Sequence, residues 1–210
     1  MSSATPIFDS IAQRRRRAWL TLGMVWCLYL PTAALPAEAN ASAAQFARNF
    51  DQLQLKTSRG QAFEAQALTG QVVIYHFIYT GCSSVCPVQT HALTRVLDAL
   101  PPATRARVRI VSVSIDPLGD TPASLEAYAR RSGALRPGWD FVLGRPADID
   151  QLALRLRLWA SNGRPTDNIA NHATSLWLVD AQGRLRMRYD GRNPNVNRLV
   201  REVSTLAAPT

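Results

Sequence analysis

The chain has 210 residues, of which 47% are apolar and 19% charged, a composition that suits one globular domain of roughly 100–200 residues and excludes both wholesale disorder and a polytopic membrane protein. The formal charge is +9, and 23 of the 24 basic residues are arginine. Beyond residue 39 the chain holds 20 basic and 13 acidic residues, and many arginines alternate with apolar residues, as at Arg184, Arg186 and Arg188. Because such alternation is typical of the solvated face of a strand, the charge does not indicate nucleic-acid binding. It does suit an acidic protein partner or an anionic membrane surface.

Residues 1–39 have the pattern of an export signal or a membrane anchor. Four arginines, Arg14 to Arg17, precede the uncharged stretch 18–37, and two overlapping Ala-x-Ala cleavage motifs follow within residues 37–41. Pro31 and Pro36 weaken a continuous helix, which favours a cleaved signal over a retained anchor, although the stretch is long enough to span a bilayer. Both alternatives place the rest of the chain on the periplasmic side of a bacterial inner membrane. Cys27 lies within the uncharged stretch and is interpreted as a small apolar residue there.

Residues 40–49 are an Ala-, Ser- and Asn-rich linker, and residues 50–207 are expected to form the exported domain. The strand predicted over 72–79 has a near-continuous apolar sequence, so it should be buried on both faces. Alternating strands and helices with a terminal hairpin predict an α/β fold, a central mixed sheet flanked by helices, with an N-terminal hairpin. The predicted elements in chain order are a hairpin over 50–63, strand 72–79, helix 87–100, strand 108–115, helix 122–131, strand 139–143, a helix from Asp148 to about 158, strands 175–179 and 185–189, and a helix over about 194–206.

Cys82 and Cys86 are the chemical centre of the exported sequence. Three cysteines cannot build a disulfide framework, so any role of this pair is local. The pair follows the predicted central strand and precedes a helix, the sheet edge where ligands gather and where a helix N-terminus lowers the pKa of a thiol. Thiolate is both the nucleophile of disulfide exchange and a soft metal ligand. Zinc or an iron–sulfur cluster would need at least two further ligands, whereas copper(I) needs only a third, such as one imidazole.

Three histidines are candidates for that third ligand. His76 lies in the buried strand and is interpreted as a hydrogen-bonded core residue, and His91 is expected on the outer side of the helix after the cysteines. His172 ends a polar loop before the strand 175–179, where its side chain can turn towards the cysteine loop. From the residues alone, His172 stays one alternative among these.

Three sequence blocks, in this order and spacing, resemble the Sco/SenC family of copper chaperones for cytochrome c oxidase assembly. They are YTGCSSVCPVQT at 79–90, VSVSIDPLGDTPASLEAYAR at 111–130 and NHATSLWLVDAQGRL at 171–185. The resemblance implies a thioredoxin-like fold and a site for one copper ion on Cys82, Cys86 and His172. It also implies that Asp116 is an acidic residue near the site, for which a loop-capping role is an alternative. Ser83 and Asn171 depart from the family's usual proline and acidic residue.

The resemblance implies a metallochaperone rather than an enzyme. Its expected client is cytochrome c oxidase subunit II, whose dinuclear copper site would receive the ion, and another periplasmic copper chaperone is a further expected partner. A thiol–disulfide reductase that keeps the client's cysteines reduced, with Cys82 attacking and Cys86 resolving, is the main alternative, and a redox sensor is another. A peroxidase is not supported, since no Thr or Arg arrangement around Cys82 indicates peroxide activation.

Overall fold

The structure is a computed structural model that describes residues 46–159, 169 and 172–208. The predicted export segment and most of the polar loop over 161–171 lie outside the described residues. Among the residues described, no helix is long and apolar enough to cross a bilayer.

One six-stranded mixed sheet forms the centre of the domain. The strands are β1 Leu55–Thr57, β2 Val72–Ile78, β3 Val108–Ser114, β4 Trp139–Gly144, β5 Ser175–Val179 and β6 Leu185–Asp190. Their order across the sheet is β1-β4-β3-β2-β5-β6. β2, β3 and β4 are parallel, β1 pairs antiparallel with β4 at one edge, β5 pairs antiparallel with β2, and β6 pairs antiparallel with β5 at the other edge. This arrangement confirms the predicted α/β fold with a central mixed sheet.

Helices cover both faces of the sheet. They are α1 Val85–Ala99, α2 Pro102–Arg105, α3 Pro122–Arg131, α4 Pro146–Leu156 and α5 Val196–Leu206. One face packs against α1, α3 and α5 through residues such as Leu93, Leu125 and Leu199. The other face packs against α4 and the short 3₁₀ turns Ala47–Phe50 and Ala65–Leu68. Every residue of β2 is buried, because its side chains alternate between the two apolar layers, as the sequence predicts.

The helix ends show where local sequence signals succeed and where they fail. Pro122 takes the first helical position, as the predicted helix over 122–131 requires, and Thr121 caps α3 in a capping box with Ser124. α4 was predicted to start at a capping Asp148, but it begins at Pro146. The fixed φ of this proline suits the first turn, and the Asp148 carboxylate instead accepts a hydrogen bond from Arg145 Nε at 2.6 Å.

The first described residues, from Phe46 to Ala62, differ from the prediction in two ways. Phe46 to Asn49 were predicted to belong to the linker, yet the Phe46 ring packs 4.9 Å from that of Tyr75 and is only 4% exposed. Phe46 is therefore part of the domain core, because burying such a ring removes a large apolar area from water. The predicted N-terminal hairpin is reduced to one bridge between Lys56 and Ala62, since β1 takes β4 as its main partner.

Candidate metal centre

The cysteine loop lies at the carboxyl end of the central strand β2. Cys82 precedes helix α1, and Cys86 is its second residue, because the helix starts at Val85, two residues earlier than predicted. The Cys82 Sγ accepts a hydrogen bond from the backbone N–H of Cys86 at 3.4 Å. This N–H belongs to the first turn, where amides have no partner within the helix. Both cysteines are free thiols, and the sulfur of Cys82 caps the helix.

The two thiols differ in acidity. Burial alone would raise the pKa of Cys82, but hydrogen bonds from Cys86 and Ser84 outweigh it, and the pKa is lowered from its ordinary value. Burial raises the pKa of Cys86 to about 12, and its hydrogen bond to Cys82 adds to the effect. Cys82 is 8% exposed and Cys86 only 1%. Cys82 is therefore the outer and more acidic sulfur, and Cys86 the inner and more basic one.

A buried carboxylate holds the strand end that leads into the cysteine loop. The Asp120 carboxylate accepts hydrogen bonds from the Thr80 backbone N–H at 3.1 Å and from the Thr80 and Ser114 hydroxyls at 2.5 and 2.6 Å. Asp120 thus joins the loop after β3 to the residue two positions before Cys82. Asp116 takes the loop-capping role, because its Oδ1 accepts from the Gly119 N–H at 2.9 Å. Sequence reasoning missed Asp120, whose partner Thr80 is forty residues away.

Tyr79 stands between the cysteines and His172. Its ring meets the His172 ring edge-on, with centroids 6.1 Å apart. Burial raises the pKa of the Tyr79 phenol, and the nearby charge of Cys82 and the hydrogen bond to its sulfur raise it further. Sequence reasoning also missed Tyr79, which links the two halves of the predicted site. Its position, three residues before Cys82, is the only signal that the sequence offered.

His172 is 6% exposed and faces backbone carbonyls. Its Nδ1 lies 2.9 Å from the Ile169 carbonyl oxygen, which only accepts, so Nδ1 carries the proton of the neutral ring and Nε2 keeps a lone pair. Burial lowers the pKa of His172, and the Ile169 and Phe77 carbonyls offset only part of that effect. The ring is therefore neutral at pH 7, the form in which histidine binds a metal.

The structure places the three predicted ligands in the same region, but they do not form one complete metal site. Among the residues described, no three His, Cys, Asp or Glu side chains converge closely enough to hold a metal ion. Cys82 and Cys86 contact each other, while His172 reaches the Tyr79 ring.

The other two histidines take the places predicted for them. His76 is fully buried, with Nε2 2.6 Å from Ser112 Oγ, and burial lowers its pKa to about 3. His91 is exposed on α1. Neither histidine is therefore placed as a ligand.

A model of the SCO1/SenC family matches residues 39–208. The chain belongs to the SCO1/SenC family. The match covers the whole described domain, and it confirms the resemblance that the three sequence blocks indicated.

Individual relatives agree with this membership. The SCO1 homolog of Bacillus subtilis is 30% identical over 134 residues, which cover 63% of this chain and 68% of the relative. A Stutzerimonas stutzeri protein named for copper binding is 29% identical over 176 residues, covering 81% and 85%.

Solved structures of Sco proteins share the fold. BsSco, described as a Sco-family cytochrome c oxidase assembly protein with a disulfide switch, superposes with a TM-score of 0.61 at 27% identity, covering 73% of this chain and 90% of BsSco. Copper-bound ScoI of Bradyrhizobium japonicum gives a TM-score of 0.59 at 24% identity, covering 73% and 96%. The thioredoxin-like fold of this SCO1/SenC chain is thereby confirmed.

Proposed function

We propose that this chain is a copper-binding assembly factor for cytochrome c oxidase, which holds one copper ion on Cys82, Cys86 and His172 and delivers it to the dinuclear copper site of subunit II. The observation that carries the proposal is the pair of free thiols at the carboxyl end of β2, Cys82 just before α1 and Cys86 in its first turn, in contact with each other. The copper-binding relative from Stutzerimonas stutzeri and the oxidase-assembly protein BsSco support it.

The donor set suits copper(I) better than a harder metal. Thiolate and imidazole are ligands that copper(I) accepts, and three of them complete a trigonal site. Zinc in a structural site takes four ligands, and no further Cys, His, Asp or Glu among the described residues joins this group. In His172 the Nδ1–H donates to a carbonyl, a common second contact of metal-binding histidines that leaves Nε2 for the metal.

Loading of copper requires His172 to approach the cysteines past the Tyr79 ring. The cysteine half of the site is held by Asp120 and by the amide of α1, whereas His172 is held by contacts with the backbone and with two rings. The histidine is therefore the ligand that joins and leaves. A ligand that leaves readily suits a protein that must give up its metal to a client.

Delivery follows from the position of the thiols. Gly81, Ser83 and Ser84 around Cys82 are exposed, so a client sulfur can approach the outer cysteine. Exchange of thiolate ligands between two proteins passes copper on without a redox change. We place this exchange on the periplasmic side of the inner membrane, with a second periplasmic copper chaperone as the donor.

An anaerobic copper(I) titration of the reduced protein, against a competing chelator, tests the ligand set. We expect one copper per chain, near-complete loss of tight binding in Cys82→Ser and Cys86→Ser, and at least a tenfold weaker affinity in His172→Ala. His91→Ala is the matched control, because His91 is exposed and lies five residues after Cys86. An affinity of His172→Ala equal to that of His91→Ala would remove His172 from the site.

The acidity difference between the cysteines is also what a thiol–disulfide reductase needs, since its attacking thiol must ionise more readily than its resolving thiol. The two functions separate in an oxidase assembly assay. If His172→Ala restores assembly fully in a deletion strain while Cys82→Ser does not, the chain acts as a reductase of the client. If both variants fail, and added copper rescues His172→Ala, the chain acts through copper.

A further inference from the structure

Two large cavities lie at the end of the sheet opposite to the cysteines, and both are lined by arginine. The first, about 590 Å³, lies at the starts of β3 and β4, beside Val108 and Gly138. The second, about 560 Å³, lies against the outer strands β5 and β6 and the end of α4. Among the described residues, no Asp or Glu lines either cavity. The arginines are Arg105, Arg109 and Arg136 in the first and Arg155, Arg157, Arg184, Arg186 and Arg188 in the second.

The strand directions place these cavities away from the cysteines. β2 and β3 run in parallel towards the cysteine loop, so the start of β3 at Val108 lies at the far edge. β6 pairs with β5 so that Asp190 lies beside Ser175, near the cysteine edge, and Leu185 beside Val179, at the far edge. α4 follows the carboxyl end of β4 and packs back along the sheet, which brings its last turn to the same far edge.

The second cavity carries an excess of positive charge. Arg184 and Arg186 share one carboxylate, that of Asp180, at 2.9 and 3.7 Å. Arg157 is exposed, and its guanidinium has no hydrogen bond or ion pair among the described residues, while Arg188 lies 4.0 Å above the Trp177 ring. Arginines of this kind keep several free N–H donors in a planar fork that matches phosphate oxygens.

The same cavity is lined by Phe46, the first described residue. The uncharged stretch of the N-terminal segment ends at Ala37, nine residues earlier, and nine residues reach at most about 30 Å. Wherever that stretch is held in a bilayer, this end of the domain stays within reach of the lipid headgroups. Leu185 is 41% exposed on the rim and adds an apolar contact for the interface.

We propose that the arginine-lined end of the domain is a docking face for anionic phospholipid headgroups, with the cysteines turned away from the bilayer. Phosphate oxygens of the headgroups pair with Arg157 and with Arg186 and Arg188 of β6. Their attraction to the negative surface acts over roughly a Debye length, about 8 Å at physiological salt. Docking this way orients the copper-exchanging end towards the domain of a membrane-bound client. The inference does not depend on copper binding.

Hydrogen exchange of the full chain in lipid nanodiscs tests the docking face. Discs of phosphatidylcholine alone are compared with discs that contain about 30% phosphatidylglycerol, so that the anionic headgroup is the only change. We expect slower exchange in residues 153–158 and 184–189 in the anionic discs, reversed by about 0.5 M salt. Hydrogen exchange of the β2 amides, which should stay the same in both kinds of disc, is the control for an intact fold.

The double variant Arg157→Gln/Arg188→Gln should lose this protection. Each arginine near an anionic surface contributes about a fivefold change in binding, so two contribute roughly thirtyfold. Arg95→Gln/Arg131→Gln removes the same charge from exposed positions on α1 and α3 and should keep the protection. Equal exchange in the two kinds of disc would overturn the proposal and leave the face to an acidic protein partner. Equal loss in both double variants would overturn it as well, because only net charge would then matter.

Discussion

The Asp120 carboxylate offers the sharpest test of how the cysteine loop is held. Three donors converge on its two oxygens: the Thr80 N–H, the Thr80 hydroxyl and the Ser114 hydroxyl. Hydrogen bonds to a charged group contribute about 1.5–3 kcal/mol each, against about 1 kcal/mol for neutral ones. Asp120→Asn keeps the shape but removes the charge, so each of the three bonds should weaken by about 1 kcal/mol. The expected loss in the free energy of unfolding is therefore about 3 kcal/mol.

Urea unfolding followed by tryptophan fluorescence measures this loss. Asp98→Asn is the matched control, because Asp98 is 61% exposed in its ion pair with Arg136 and such pairs contribute about 0–1 kcal/mol. The alkylation rate of Cys82 gives a second readout, and it should rise in Asp120→Asn because Thr80 no longer fixes the start of the loop. A loss of less than about 0.5 kcal/mol, equal to that of the control, would refute the clamp.

Three further results follow from the described contacts. Iodoacetamide at pH 7.5 should label Cys82 and leave Cys86 unreacted, because a Cys86 pKa of about 12 in place of about 9 lowers its thiolate fraction about a thousandfold. Mass spectrometry measures the labelling, and equal labelling of the two cysteines would contradict the acidity difference. Stability should fall between pH 6.5 and pH 3, since the unfolded state protonates His76 while the folded state, with a pKa of about 3, does not. The loss at pH 5 is about 2 kcal/mol, and His76→Gln should flatten this part of the pH profile of unfolding. Gly191→Ala should cost about 1–3 kcal/mol in chemical denaturation, because a Cβ there would overlap a glutamine side chain of α1 and a backbone carbonyl before β5. Gly81→Ala meets nothing closer than 3.6 Å and should be near neutral, and equal effects would exclude the overlap.

The elements that the sequence predicted are those whose signals are local. β2 is marked by an unbroken apolar run, and α3 by Thr121 and Pro122 at its start. The start of α4 was missed because Asp148 and Pro146 both signal a helix start, and the proline takes precedence. The pairing of β1 with β4 was missed because the two strands are more than eighty residues apart and neither sequence contains a signal that identifies its partner strand.

The candidate site divides in the same way. Cys82 and Cys86 follow from spacing and from their place after a buried strand. Asp120 and Tyr79 contact residues that are distant in the sequence. The sequence therefore shows only that each lies in or beside a motif, and it does not show which residue each one contacts. His172 was one of three candidate histidines from the residues alone, and the family resemblance singled it out. Its approach to Tyr79 depends on the pairing of β5 with β2, which the local sequence does not signal.

The two halves of the site are held by forces of different strength, and this difference bears on how a metal would exchange. The cysteine half has a charged clamp at Asp120 and a helix amide on the Cys82 sulfur, both of which resist displacement. In the His172 half, the ring Nδ1 donates to the Ile169 carbonyl, and the ring contacts those of Tyr79 and Trp159. Ring contacts of this kind contribute about 0.5–1.5 kcal/mol each, so the imidazole can change partners at modest cost. In the proposed site, the metal would therefore stay with the cysteines while the histidine opens, and the sulfurs would be the last ligands to be replaced.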